Sequence, residues 1–318
     1  MSSSKPAHGK RPASASGPTL RSAPRTFAEL LAWASQNRVA MDGHDRAEGS
    51  RLLATMMTHL EDGLGLTTSY SGHGTAEYSA TEVHRDADAH CEGPLPAIVL
   101  HAACDNNATA QKALQNHARV SRPLHLFPDL LTRVDHSTRE RLLELQGTVH
   151  AQVQQALEDL EKEQLSTKER RDKFKDIIKR YARKLVRGSR ALLLDAIVMT
   201  DDTCIQCGPG SRCPLAPNRR DVKFWVEIAG MTCTAFSPMG SQWRWADASS
   251  LPCLVWAFWV RAAQPDIALA ECVGQFETGP IEEILDHFVF YRIDLCPSLL
   301  GWPARRMRFY GAWFQVKL

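Results

Sequence analysis

The chain has 318 residues, 44% hydrophobic and 23% charged, which suits one large α/β domain with additions or two modest domains. A net charge of +2 names no partner, and no run approaches the roughly 20 apolar residues of a membrane span. The first 26 residues lack the apolar core of a secretory signal, so the nine cysteines are expected as reduced thiols, open to catalysis or metal binding rather than disulfides.

Residues 1–26 are rich in Ser, Pro, Ala and Gly and carry Lys5, Lys10, Arg11, Arg21 and Arg25 with no acidic residue. Such a stretch has too few apolar groups to offset the entropy of ordering, which predicts a disordered basic tail; its composition also fits an organellar transit peptide. A helical pattern covers residues 27–60, with Leu30, Leu31, Trp33, Leu52, Leu53, Met56, Met57 and Leu60 at helix spacing. Gly63 and Gly65 then lead to a short strand at 66–70. Ser71-Gly72-His73-Gly74-Thr75-Ala76-Glu77 reads as a strand-to-helix turn, 97–102 as a buried strand, and Ala108, Ala110, Ala113 and Leu114 as a helix face. A third strand at 124–127 closes on Pro128-Asp129. Strand, helix, strand, helix, strand predicts a parallel sheet within residues 27–131.

Residues 132–220 break that rhythm. Up to 190 they are charged, free of Pro and helix-favouring, with a capping-box pattern at Ser166-Thr167-Lys168-Glu169. Residues 161–190 hold twelve Lys/Arg against five Asp/Glu, an excess suited to a polyanion such as a phosphate backbone or simply to a solvated helix face. Residues 201–220 read as a loop holding Cys204, Cys207 and Cys213. A Cys-x-x-Cys pair with a third cysteine suits tetrahedral zinc if a fourth ligand comes from elsewhere; otherwise these are loop cysteines that bind nothing. Strands resume in residues 221–318, at 222–229, 267–273 and 288–293, with a Trp-rich helix at 251–263.

Four segments carry residues suited to chemistry. Gly72-His73-Gly74 follows a strand, where glycines let a ligand approach the backbone and the next helix offers free N–H groups. Cys233 follows the strong strand at 222–229, at the edge where open α/β sheets bind ligands, although a free cysteine is more often a small buried hydrophobe. Glu271 ends an apolar strand, where a carboxylate has either a partner, a task or a place at the surface. Arg305, Arg306 and Arg308 precede Phe309-Tyr310, as a basic edge or a binding element.

In this order the segments resemble the cytosine-5 DNA methyltransferase family. Tyr70-Ser71-Gly72-His73-Gly74-Thr75-Ala76-Glu77 is similar to the family's Phe-x-Gly-x-Gly-Gly methyl-donor loop. Cys104-Asp105-Asn106-Asn107-Ala108 falls at the second donor motif, and Phe127-Pro128-Asp129-Leu130 looks like the Gly-Asp-Ile motif that touches adenine. Cys233, Ser237 and Gly240 keep the spacing of Pro-Cys-Gln-x-Phe-Ser-x-x-Gly, Glu271-Cys272-Val273 is similar to Glu-Asn-Val, and Arg306 and Arg308 match Gln-x-Arg-x-Arg. The chain departs from the pattern with Thr232 for the Pro, Cys272 for the Asn, Ala304 for the Gln, and Ala103 where the ribose-binding carboxylate aligns. The resemblance covers about residues 66–131 and 221–318.

The resemblance implies a Rossmann-like methyltransferase sheet with helices on both faces, plus the helical insertion. It implies S-adenosylmethionine as donor, bound by Tyr70, Gly72, Gly74, Glu77, Asp105 and Asp129. Cys233 becomes the nucleophile toward cytosine, Glu271 and Arg308 the groups that hold the base, and Arg306 a support for that loop. The implied substrate is nucleic acid, DNA ahead of RNA, with nuclear residence following from DNA work and no membrane partner. The sequence ends soon after the arginine motif, which leaves no room for the family's target-recognition domain. The basic insertion is expected to substitute only through nonspecific phosphate contacts, with target recognition expected from a protein partner. The contrasting expectation is a methyltransferase-like binding or scaffold protein without catalysis.

Overall fold

A computed structural model describes residues 63–89, 94–296, 298 and 306–316. The expected basic tail, the helical pattern at 27–60, Ala304 and Arg305 lie outside the described residues.

In chain order the elements are β1 (Leu64–Ser69), α1 (Thr75–Asp88), β2 (Val99–Cys104), α2 (Ala108–Gln115) and β3 (His125–Phe127). The long helices α3 (His136–Lys162) and α4 (Thr167–Leu194) come next, then the short strands β4 (Asp201–Thr203) and β5 (Arg212–Pro214). The chain continues through β6 (Phe224–Gly230), α5 (Leu251–Ala263), β7 (Ile267–Val273), α6 (Gly279–Ile284), β8 (Phe288–Leu295) and β9 (Arg308–Gln315). Seven strands form one sheet in the order β3-β2-β1-β6-β7-β9-β8, and β4 pairs with β5 as a separate hairpin. The five strands β3 to β7 of that order run parallel, while β9 is antiparallel to both β7 and β8. The order reverses between β1 and β6, the point at which open parallel sheets bind ligands outside the strands' carboxyl ends.

Side chains alternate between the two faces of the sheet. Ala102, Cys104, Phe127, Trp225 and Ala229 join the large core beneath α5, whereas Ala103 and Leu126 pack with Leu114 of α2. Thr68 faces α1, where its hydroxyl bonds Glu77. Thr67, Ser69 and Glu227 face α5, and Trp256 of that helix donates to Glu227 at 2.9 Å. Helices therefore cover both faces, as expected of the Rossmann-like methyltransferase architecture. The helix α5 is apolar almost all round, and its two tryptophans pack edge-on against the sheet, Trp259 on Trp225 of β6 and Trp256 on Trp313 of β9.

The insertion is an αα-hairpin. Val149 and Val153 of α3 pack against Ile178 and Leu185 of α4, at the spacing of a coiled-coil seam. Asp135 caps α3 by accepting from the Thr138 N–H at 2.9 Å, and Ser166 with Glu169 closes the expected capping box on α4. The hairpin's apolar seam includes Ala246 and touches Trp243, so it grips the segment just after Cys233 to Gly240.

Two elements differ from the sequence reading. The segment 201–220 is not all loop, because β4 and β5 form a hairpin of three residues a strand within it. The basic segment around Arg308 begins β9, a strand whose pairing with β7 is non-local and leaves no local signal beyond alternating apolar residues. Among the described residues, no helix is long and apolar enough to cross a membrane.

Candidate functional site

Because β1, β6 and β7 are parallel and in register, their carboxyl ends lie side by side: Ser69 pairs with Ala229, and Gly230 with Glu271. The antiparallel β9 brings its first residue, Arg308, opposite Val273 on that same edge. Here Arg308 Nε meets Glu271 Oε1 at 2.6 Å. The pair is half-shielded, and Arg308 Nη1 is buried with no hydrogen-bond partner. Glu271 and Arg308, 37 residues apart in sequence, are therefore one unit. Arg306 is exposed, two residues before β9 begins.

Cys233 follows β6 by three residues and is partly buried against the main core. Its carbonyl accepts from the Ser237 N–H at 2.8 Å and the Phe236 N–H at 3.0 Å, and the Gly240 N–H donates to Ser237 at 3.0 Å. A Cβ at Gly240 would lie 1.8 Å from the Thr234 carbonyl oxygen, so only glycine lets this turn close. That accounts for the spacing of Cys233, Ser237 and Gly240. Phe236 anchors the turn in an aromatic group with Trp245 and Phe276, the latter at 4.7 Å between ring centres. The neighbouring thiol of Cys272 points under the Thr232 carbonyl at 3.9 Å, and burial pushes it up to about 12, so it stays protonated.

The glycine turn stands at the carboxyl end of β1. Tyr70 and Gly72 have positive φ (53° and 57°), and Gly230 of β6 approaches the Tyr70 carbonyl closely. The Tyr70 hydroxyl reaches Cys253 Sγ of α5 at 3.4 Å, and burial first of all pushes its pKa well up. A Cβ on Gly72 would meet nothing within 4 Å, so the space above this residue is open. The Gly72 N–H donates to Asp105 Oδ2 at 2.8 Å, and Asp105 Oδ1 accepts from the Asn107 N–H at 2.8 Å. Asp105 thus ties the end of β2 to the glycine turn. At Gly74 the φ of 81° and a ring carbon of His117 at 2.0 Å from any added Cβ both demand glycine.

Glu77 is buried in the first turn of α1, where Thr68 hydrogen-bonds one oxygen and Oε2 has no partner. Burial raises its pKa, opposed by the Thr68 bond. Asp129 stands past the end of β3 and caps the following turn, accepting from the Leu131 N–H at 2.9 Å. Ala103, aligned with the family's ribose carboxylate, is fully buried.

Two groups escaped the sequence reading. Glu227 is fully buried and accepts from Thr67, Ser69 and Trp256, with Arg133 Nη1 at 3.7 Å. The Arg133 guanidinium lies 4.0 Å over the Trp259 ring. A carboxylate at an inward position of the apolar strand Trp225-Val226-Glu227-Ile228 was the available signal. The second is His125 of β3, whose Nδ1 lies 3.5 Å from Cys207 Sγ and 3.8 Å from Cys204 Sγ. Cys213 Sγ is 3.5 Å from Cys207 Sγ, so the three predicted cysteines do converge.

No protein-family model matches the chain, and a search of curated proteins finds no match. Solved structures do resemble it. A protein described as a DNA modification methyltransferase encoded within an E. coli prophage aligns with a TM-score of 0.36 and 13% identity over 79% of this chain and 47% of its own. The S. pombe Dnmt2 methyltransferase aligns at 0.36 and 16% identity, over 80% of this chain and 51% of its own. The Entamoeba histolytica methyltransferase EhMeth aligns at 0.36 and 11%, over 80% and 53%. The chain spans about half the length of these proteins. By its own strand order, with a switch point between β1 and β6 and an antiparallel β9 inserted beside β7, the chain has a Rossmann-like methyltransferase fold.

Proposed function

We propose that this chain transfers a methyl group from S-adenosylmethionine to carbon 5 of cytosine in nucleic acid, DNA ahead of RNA, with Cys233 as nucleophile. The observation that carries the reading is the shared carboxyl edge of β1, β6 and β7, where the open glycine turn, the Cys233 turn and the Glu271–Arg308 pair all emerge. The orphaned Arg308 Nη1 and Glu77 Oε2 are buried polar atoms in want of a partner, as expected of a site built for ligands.

The residues fit the donor: there is open space over Gly72, a helix start behind it and Asp129 at the next strand end. When bound, S-adenosylmethionine supplies an electrophilic methyl group. Gly72 lets the donor approach the backbone, Gly74 turns the chain into α1 against the His117 ring, Tyr70, Asp105 and Glu77 hold the turn, and Asp129 lines the neighbouring end. The thiolate of Cys233 adds to carbon 6 of a cytosine taken out of its stack, which makes carbon 5 nucleophilic. Glu271 hydrogen-bonds the ring nitrogen and amino group so that negative charge does not collect on the ring, and Arg308 binds the base carbonyl. Once carbon 5 is methylated, loss of its proton breaks the bond between Cys233 and carbon 6 and frees the enzyme.

The basic face of α4 suits the polyanionic substrate. Lys179, Arg183 and Arg187 recur every four residues, are exposed, and have no ion-pair partner among the described residues. On this reading the face holds the phosphate backbone without reading its sequence, a protein partner supplies target recognition, and work on DNA would place the protein in the nucleus.

The test is trapping on an oligonucleotide containing 5-fluorocytosine, which blocks the elimination. A covalent adduct that requires both the donor and Cys233, absent in Cys233→Ala, is the expected result. Absence of adduct on DNA and RNA, with folded protein, would overturn the assignment. A second reading, a methyl-donor-fold scaffold without catalysis, draws on Ala103 and on an Asp105 carboxylate already taken by two backbone N–H groups. Calorimetric titration with S-adenosylmethionine separates the two, since the scaffold reading expects no heat of binding.

A further inference from the structure

We propose that His125, Cys204, Cys207 and Cys213 bind one zinc ion that clips the β4–β5 hairpin to the edge strand β3. The four ligand atoms all lie within 4.8 Å of one another. Zinc bonds of about 2.3 Å to sulfur and about 2.0–2.1 Å to nitrogen, arranged tetrahedrally, imply edges of roughly 3.8 Å between sulfurs and roughly 3.6 Å between sulfur and nitrogen. The separations here are 3.5 Å for Cys207–Cys213, 3.5 Å for His125–Cys207 and 3.8 Å for His125–Cys204. Those sulfurs are too far apart for a disulfide, which needs about 2.05 Å.

The surroundings are built for such a site. The turn after Cys207 runs through Gly208 and Gly210, both with positive φ (100° and 80°), which folds Cys213 back onto the Cys204–Cys207 pair. The Cys204 N–H donates to the Ser211 carbonyl and the Ile205 N–H to the Leu126 carbonyl, each at 2.8 Å, so the knuckle is already hydrogen-bonded to β3. The His101 ring stands edge-on to His125 at 5.1 Å and shares a hydrogen bond of 3.0 Å with the Pro214 carbonyl, fixing the strand that carries Cys213. Soft thiolates with one imidazole favour zinc over harder cations. Four protein ligands fill the tetrahedron, leaving no position for a substrate, so the ion is structural.

Its place explains its use. A two-stranded hairpin of three residues a strand is marginal in water and needs a further tie. That hairpin in turn holds the end of β3, because Thr132 hydrogen-bonds Asp202 of β4. Thr132 Oγ1 also lies 2.6 Å from the Asp129 carbonyl, so its one proton is shared between the two acceptors. The zinc therefore secures the segment that carries Asp129, and its presence does not depend on the methyltransferase reading.

The experiment uses the full chain, purified with a histidine-free tag, and measures zinc by elemental analysis. One equivalent is expected, released on thiol modification, and replaceable by Co2+ with thiolate charge-transfer bands and the absorption of a tetrahedral ion. Cys207→Ser should lose the ion, and His125→Cys should retain it with a Co2+ spectrum shifted toward four thiolates. Folded protein that carries no zinc and takes up neither zinc nor Co2+ overturns the proposal. So does a His125→Ala variant whose Co2+ spectrum matches the unmodified chain.

Discussion

Replacing Glu227 by Ala should be among the most damaging single substitutions in the chain, although Glu227 touches none of the residues proposed for chemistry. The carboxylate is fully buried between β6 and α5, and it is the anion facing the equally buried Arg133 at 3.7 Å. Its loss strands the Trp256 N–H, which cannot re-aim, while the Thr67 and Ser69 hydroxyls can rotate. Removing one member of a buried ion pair costs about 3–5 kcal/mol, because the survivor is an uncompensated charge. Stacking of Arg133 on Trp259 remains and offsets part of this, by about 2 kcal/mol at most. A net loss of about 3 kcal/mol is a fifth to over half of the ~5–15 kcal/mol that holds a typical domain together. The assay is urea unfolding followed by tryptophan fluorescence. The double variant Arg133→Met with Glu227→Gln removes both charges and should be less destabilised than Glu227→Ala alone. A Glu227→Ala midpoint within about 0.5 kcal/mol of the unmodified chain, the range of ordinary surface changes, would refute the reasoning.

Two further outcomes are expected. Burial holds the Glu77 pKa above its unfolded value, so between those two values the folded state binds more protons and stability falls as pH rises. Glu77→Gln should therefore stabilise the donor-free chain at neutral pH, with the difference closing in acid below about pH 4, under the ordinary glutamate range; a difference that does not depend on pH would remove Glu77 as its source. Charge reversal at Lys179, Arg183 and Arg187 should weaken nucleic-acid binding and flatten the slope of log affinity against log salt by up to about 2.7 on duplex DNA, if all three contact phosphates. An unchanged slope would take α4 out of the interface.

Much of this molecule was legible before any fold was known. The alternation of apolar strands and helices, the Pro-free charged stretch with its capping box, and the Cys233-Ser237-Gly240 spacing are local patterns, and each is written in a few consecutive residues. The structure carries them through as the parallel sheet, the αα-hairpin and a turn that only Gly240 can close. The strand β9 escaped because its start reads as a basic segment, and its pairing with β7 joins residues some forty positions apart.

What the sequence determined by itself was the set of groups available and the edge of the sheet on which each would emerge, since strand direction and local spacing suffice for that. Which groups meet was decided by the tertiary structure. The Glu271–Arg308 pair needs an antiparallel strand inserted beside β7, and Glu227 with Arg133 needs the turn after β3 brought back to β6. His125 joins the three cysteines only because the hairpin folds back on β3, nearly eighty residues earlier. Ligand and ion-pair geometry is a property of distances in space, and side chains remote in sequence carry no mark of one another until packing brings them within a few ångströms.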